Sequence, residues 1–298
     1  VKPDIPQSGS VWRLAGRTLA TPVLWYEHGD RRRLIVILNT HIAAGGYFAT
    51  MRACIAALAA RGWSVQLEGF SRADPAAWAG AADDERAARQ VMLDLYRDRP
   101  RATARRLGWV YQGDKQAGFR REDTWRSGDL TDLEIIRLAG PDVILDMGRA
   151  YAEGLARFGS HAADWEAACV PFTYRMLARP HAPLSAALAG FAPEVHDVLV
   201  GGRSRHAVRV LDPDRNSVIA WGSEHADTLH AALYGAGWRL TGKRRWLTVG
   251  QLPPYARSLA GLFTVAWRAA AEQAPDMTVG DALRQARQDW QPAREAAG

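Results

Sequence analysis

The sequence predicts an α/β protein: a central, mostly parallel sheet flanked by helices, with a helical insertion forming a lid and C-terminal helices packed on the core. Three observations carry that expectation. "LIVIL" at 34–38 is a continuous apolar run, as a strand covered on both faces requires. Behind it, Tyr47, Met51, Cys54, Ile55 and Leu58 recur at helical spacing up to a stop at Gly62, and "WSVQL" at 63–67 reads as the next strand, so 34–67 is a βαβ unit. The same order returns at 218–238, "VIAWGSEHADTLHAALYGAGW", where an apolar strand leads through a glycine and a histidine into a helix closed by Gly237-Trp238.

Between the two repeats the pattern changes. Helical periodicity occupies 84–98, 130–140, 142–159 and 164–178, with turns at Gly128, Gly140 and Arg179-Pro180, which predicts a helical insertion over about 73–194. In "VHDVLVGGRSRHAVRVL" (195–211), Val198 to Val200 reads as a strand that delivers Arg203 to the start of a helix. "RRWLTVG" (244–250) resembles a strand. Beyond it "PPYARSLAGLFTVAWRAAAEQ" and "TVGDALRQARQDW" read as the C-terminal helices. With no clear linker, residues 1–298 are expected to form a single α/β domain.

Composition sets limits on function. At 298 residues with 48% hydrophobic and 23% charged residues, the chain can bury a core and reads as a soluble globular protein. The net charge of +6 raises the question of nucleic acid, but the basic runs at 31–33 and 99–106 carry no interleaved aromatics, so they read as solvated faces with no nucleic-acid partner. The two cysteines, Cys54 and Cys169, lie far apart within helical patterns, which suits buried thiols and supports neither a disulfide framework nor a zinc spacing. "VKPDIPQSGSVWRLAG" has no apolar core of signal-peptide length, and 259–271 is too short and interrupted by arginine to span a bilayer; a cytoplasmic protein with no membrane span is expected.

Two common hydrolase signatures, HExxH and GxSxG, are absent. "GWRLTGKR" (237–244) fits the GxxxxGK of a phosphate loop but has Arg244 in place of Ser or Thr. It also lies between a helix and a strand, the reverse of the order a phosphate loop needs.

The residues that remain converge. Parallel strands in such a fold end on one edge, where open sheets bind ligands, so His41 and Glu68 share that edge and His225 joins them if its strand enters the same sheet. Glu224, beside His225, is expected to point away. Trp125, Arg126 and Asp129 read as the start of a helix, with Asp129 as its N-cap. His28, His161, His181, His196, His206 and His230 lack the strand-end placement and are expected to be structural.

"LNTHIAAGGY…LEG" and "WGSEHADTLHAALYGAGW" resemble the two histidine motifs and intervening glutamate of the TraB/PrgY/GumN group, which is related to the Tiki proteases and more distantly to erythromycin esterase-like hydrolases and ChaN-like haem-binding proteins. Gly222 to His225 is a full GxxH. Leu38 stands where the first motif would have its glycine, Gly69 stands where a second glutamate is common, and Arg203 best matches the group's arginine. The resemblance spans roughly 34–250.

Two histidines and a carboxylate can hold a divalent metal that activates water and polarises a carbonyl, with Arg203 stabilising the oxyanion or binding a substrate carboxylate. That makes His41, Glu68 and His225 candidate metal ligands, and these three with Arg203 the candidate catalytic set. The resemblance implies manganese or a similar metal and cleavage of a peptide bond, and it equally implies a metal-free hydrolase with a histidine base oriented by Glu68. The expected substrate is a peptide or a small-molecule ester or amide. The departures at Leu38 and Gly69 favour an alternative of another class, a ligand-binding or haem-binding regulatory protein without turnover.

Overall fold

The computed structural model describes residues 12–69, 73–117, 122, 124–178 and 197–273. Its centre is a seven-stranded sheet whose path is β1 (Arg13–Ala15), β2 (Thr18–Glu27), β3 (Arg33–Asn39), β8 (Ser217–Gly222), β5 (Ser64–Leu67) and β7 (Arg126–Ser127). A seventh strand, β9 (Arg239–Gln251), pairs with β2 outside that path. β3, β8, β5 and β7 run parallel, whereas β1, β2, β3 and β9 meet in antiparallel pairs. The α/β class with a mixed, mostly parallel sheet is therefore as the sequence predicts.

The apolar runs explain the centre. Six of the seven residues of β3 are buried and so is every residue of β8, as strands flanked on both sides and covered on both faces must be. The helix Gly46–Ala59 lays Tyr47, Phe48, Met51 and Ile55 against the sheet and ends ahead of Gly62, whose φ of +80° turns the chain into β5. β8 enters between β3 and β5, so the two strands of the first βαβ unit are not neighbours. A small ladder of β4 (Ile42–Ala43) with β6 (Val110–Tyr111) stands just beyond the end of β3.

Several expectations need correction. Val198 to Val200 is helical: a π-turn over Asp197–Gly202 runs directly into the helix Arg203–Arg209, and its buried Leu199 and Val200 make the short apolar run look strand-like. The insertion is not wholly helical, because β6 and β7 lie within it and β7 completes the main sheet. Its helices Pro75–Ala79, Asp83–Leu93, Asp132–Ala139 and Pro141–Ala156 enclose a second apolar cluster with Ile135, Ile136 and Ile144 at its centre. Thr131, not Asp129, caps the helix Asp132–Ala139, and Glu134 closes the capping box. Cys54 is exposed and Cys169 half-buried, so neither is a buried thiol. The helix Tyr255–Gln273 lies along the helix Ala162–Leu177 and not on the sheet. The second C-terminal helix, the Arg179-Pro180 turn, His181 and His196 lie outside the described residues.

Candidate functional site

Four parallel strands end on one edge and deliver polar residues to it: β3 leads to His41, β5 to Glu68, β7 to Asp129 and β8 to Glu224 and His225. Arg203 reaches the same place from the first residue of its helix. Above the edge lies a cavity of about 1350 Å³, walled by His41, Glu68, Arg203 and His225 below and by helices of the insertion above.

At its floor is a buried ionic cluster. Arg203 donates from Nε and Nη2 to the two carboxylate oxygens of Asp129, at 2.9 and 2.6 Å, and from Nη2 to Glu68 Oε1 at 2.8 Å. Its Nη1 reaches the carbonyl of Leu199 at 3.2 Å and His225 Nε2 at 3.3 Å. Asp129 also accepts from the backbone N–H groups of Gly69 and Leu130. The side chains of Asp129, Glu68 and Arg203 are 0%, 5% and 7% exposed, so these charges are stabilised by one another and not by water.

Glu68 is held by its neighbours. Burial pushes its carboxyl pKa up, but the charge of His225 and its hydrogen bond, then Arg203 and His41, outweigh this and hold it well below the ordinary carboxylate range. Arg203 is driven the other way: burial opposes its charge, and Asp129 and Glu68 more than restore it, so it stays protonated.

The glycine of GxxH has a specific task. The Gly222 N–H donates to Glu68 Oε2, and a Cβ at Gly222 would stand 2.8 Å from that oxygen. In the β3–β8 register Leu38 pairs with Trp221 and Asn39 with Gly222. Leu38 is thus not the counterpart of Gly222; its side chain packs in the core, and its departure from the motif leaves Glu68 untouched.

The two histidines differ in setting. His225 is buried, with Nδ1 at 3.0 Å from both Ser204 Oγ and the Val200 carbonyl; a carbonyl only accepts, so Nδ1 carries the proton. Its Nε2 faces Arg203 and lies 3.3 Å from Glu68 Oε1, and the Trp221 indole packs edge-on against the ring. His41 is exposed at the cavity wall, where the β4–β6 ladder brings Gln112 alongside. Gln112 N–H donates to the His41 carbonyl at 2.9 Å, and its Oε1 lies 3.0 Å from His41 Nδ1. With that oxygen as acceptor, Nδ1 carries the hydrogen and Nε2 presents its lone pair.

A divalent metal on His41, Glu68 and His225 does not fit this arrangement. The guanidinium of Arg203 already bridges Glu68 and His225, both ring nitrogens of His225 are engaged, and among the described residues no group of three or more His, Cys, Asp and Glu is disposed to hold a metal ion. Arg203 in turn directs its donors to protein acceptors, Asp129, Glu68, the Leu199 carbonyl and His225. Sequence reasoning missed Asp129, since β7 is too short for any periodicity. Glu224, expected to point away, is among the cavity-lining residues. The basic run at 99–106 is largely ion-paired, with Arg99, Arg101 and Arg106 on Asp94, Asp114 and Asp164. Gly237 to Arg244 leads into and along β9, so no strand–loop–helix order exists there. No helix among the described residues is long and apolar enough to cross a membrane.

No family model, curated protein or solved structure matches the chain. The resemblance to the TraB/PrgY/GumN group therefore rests on the motif residues alone.

Proposed function

We propose that the protein is a metal-independent hydrolase of a carboxylic ester or amide, with His41 as general base. The observation that carries this reading is the placement of His41: exposed in a large cavity, oriented by Gln112 through Nδ1, and close enough to Glu68 for the two charges to interact. Nε2 takes a proton from water as the oxygen attacks the substrate carbonyl, then returns it to the leaving group. The carboxylates of Glu68 and Asp129, fixed in place and shielded from solvent, favour the imidazolium that this transfer creates. His225 and Arg203 are positioning groups that keep Glu68 ionised and aimed.

The test is turnover of a p-nitrophenyl ester panel and of small anilide amides after exhaustive dialysis against EDTA. Activity should survive chelation and fall by about 10²–10⁴-fold in His41→Ala. Activity that disappears with chelation and returns with manganese would replace this reading with the metallopeptidase one; full activity in His41→Ala would remove His41 from the chemistry.

A second reading, a binding protein without turnover, is favoured by the mutual saturation of Glu68, Arg203 and Asp129, which leaves His41, of the four site residues named from the sequence, to meet a ligand. If it holds, haem titration produces a Soret band in the wild type and none in His41→Ala.

A further inference from the structure

The cavity wall contains Arg89, Arg97, Arg99 and Arg203, and a carboxylate matches each. Arg89 meets Asp132 at 2.9 Å, Arg97 meets Asp98 at 2.8 Å, Arg99 meets Asp94 at 2.6 Å and Glu166 at 3.5 Å, and Arg203 is taken up by Glu68 and Asp129. These pairs also occupy the wall's own acids Asp132, Glu166 and Glu68. Glu224 is different: it lines the cavity, it is exposed, and it has no hydrogen bond or ion pair among the described residues. After these pairs are made, Glu224 is the wall carboxylate among the described residues whose charge stays unmatched.

Its position matters as much as its sign. β3 and β8 are paired to their ends, with Asn39 opposite Gly222, and His41 and Glu224 each follow two residues later. Neighbouring strands lie about 4.8 Å apart, so the two residues leave the sheet side by side. Tyr96 and Tyr174 share the wall, and the charge of Glu224 reaches both. Desolvation first, and then Glu224, push the Tyr96 phenol up to about 12, so it stays a neutral ring. A carboxylate that shares a cavity wall with neutral aromatic rings attracts an organic cation through its charge, and the ring quadrupoles add to the attraction.

We propose that Glu224 forms a subsite for a protonated or quaternary amine, and that the substrates of this site are amine-bearing esters or amides. The inference rests on the hydrolase reading for the scissile group alone; the amine subsite stands on Glu224 and its surroundings. An anionic substrate would meet the unmatched charge of Glu224, and every arginine of the cavity wall among the described residues is already engaged.

The experiment compares butyrylcholine with 3,3-dimethylbutyl butyrate, its uncharged isostere, on wild type and Glu224→Gln. The expected result is a kcat/KM ratio favouring the cation by about tenfold in the wild type and approaching unity in the variant. A ratio within one protein does not depend on how much of it is folded. Equal kcat/KM for the two esters in the wild type would overturn the proposal. If neither ester turns over, the hydrolase reading is what fails for such substrates. Calorimetric titration with phenyltrimethylammonium then decides: saturable binding weakened about tenfold by Glu224→Gln supports the subsite, and no binding to wild type refutes it.

Discussion

Replacing Asp129 by alanine should cost about 4 kcal/mol of stability. The side chain is fully buried and accepts from Arg203 Nε and Nη2 as well as from the Gly69 and Leu130 N–H groups. Removing one partner of a buried ion pair costs about 3–5 kcal/mol, and Glu68, which still faces Arg203, moves the value toward the lower end. The buried Leu130 N–H, left without its acceptor, adds about 1 kcal/mol, whereas Gly69 is exposed and finds water. The assay is urea unfolding followed by tryptophan fluorescence, with Arg203→Met and the double variant completing a cycle. Arg203→Met strands two carboxylates and the double variant only one, so the double should be less destabilised than the sum of the singles by about 2 kcal/mol. A cost below about 1 kcal/mol for Asp129→Ala, or additivity within about 0.5 kcal/mol, would mean that the cluster does not act as a unit.

Two further outcomes follow from Glu68. Gly222→Ala places a methyl group 2.8 Å from Glu68 Oε2, and with φ −57° and ψ 138° alanine has no backbone penalty there. The expected loss of about 1–3 kcal/mol in denaturant titration therefore measures the contact itself, and a neutral substitution would show that Glu68 moves aside freely. Because the folded carboxyl titrates below its ordinary value of 4.5, its stabilising contribution is full above that pH, declines as pH falls below it, and is exhausted only when the folded carboxyl protonates. Unfolding curves for wild type and Glu68→Gln between pH 7 and pH 3 should show a stability gap that narrows below about pH 4.5; a gap independent of pH would contradict the depressed pKa.

The central strands were legible because burial on both faces leaves an unbroken apolar run, as in "LIVIL" and "VIAW". The histidines were legible because strand ends in this topology face one edge. Arg203 could be named but not placed, since three apolar residues at 198–200 suit a buried strand and a buried helical turn equally. Asp129 was hidden for a different reason. β7 is two residues long, one of them an exposed arginine, and its place in the sheet comes from the β5 ladder and not from any pattern of its own. β2 gives a weak signal as well, because Pro22 lies within it and has no N–H for the ladder. Two histidines and a carboxylate suit a metal site and a metal-free one alike, so residue type left both readings open, and the approach of Arg203 to Glu68 and His225 is what supports the metal-free proposal.

The entry of β8 between β3 and β5 has a consequence for how the molecule comes into being. As the chain leaves the ribosome, β3, its helix and β5 emerge early, yet the two strands have no ladder between them until the segment Ser217–Gly222 appears, some 150 residues later. Until then each presents an unpaired apolar edge, and Glu68 has neither the Gly222 N–H nor the His225 ring to meet. Long-range closure of this kind is slow and leaves nascent strands open to aggregation. Synthesis of Ser217–Gly222 is thus the event that commits the sheet and the edge bearing Glu68 and His225 together, and a nascent chain halted before residue 217 should need chaperone protection for want of one strand.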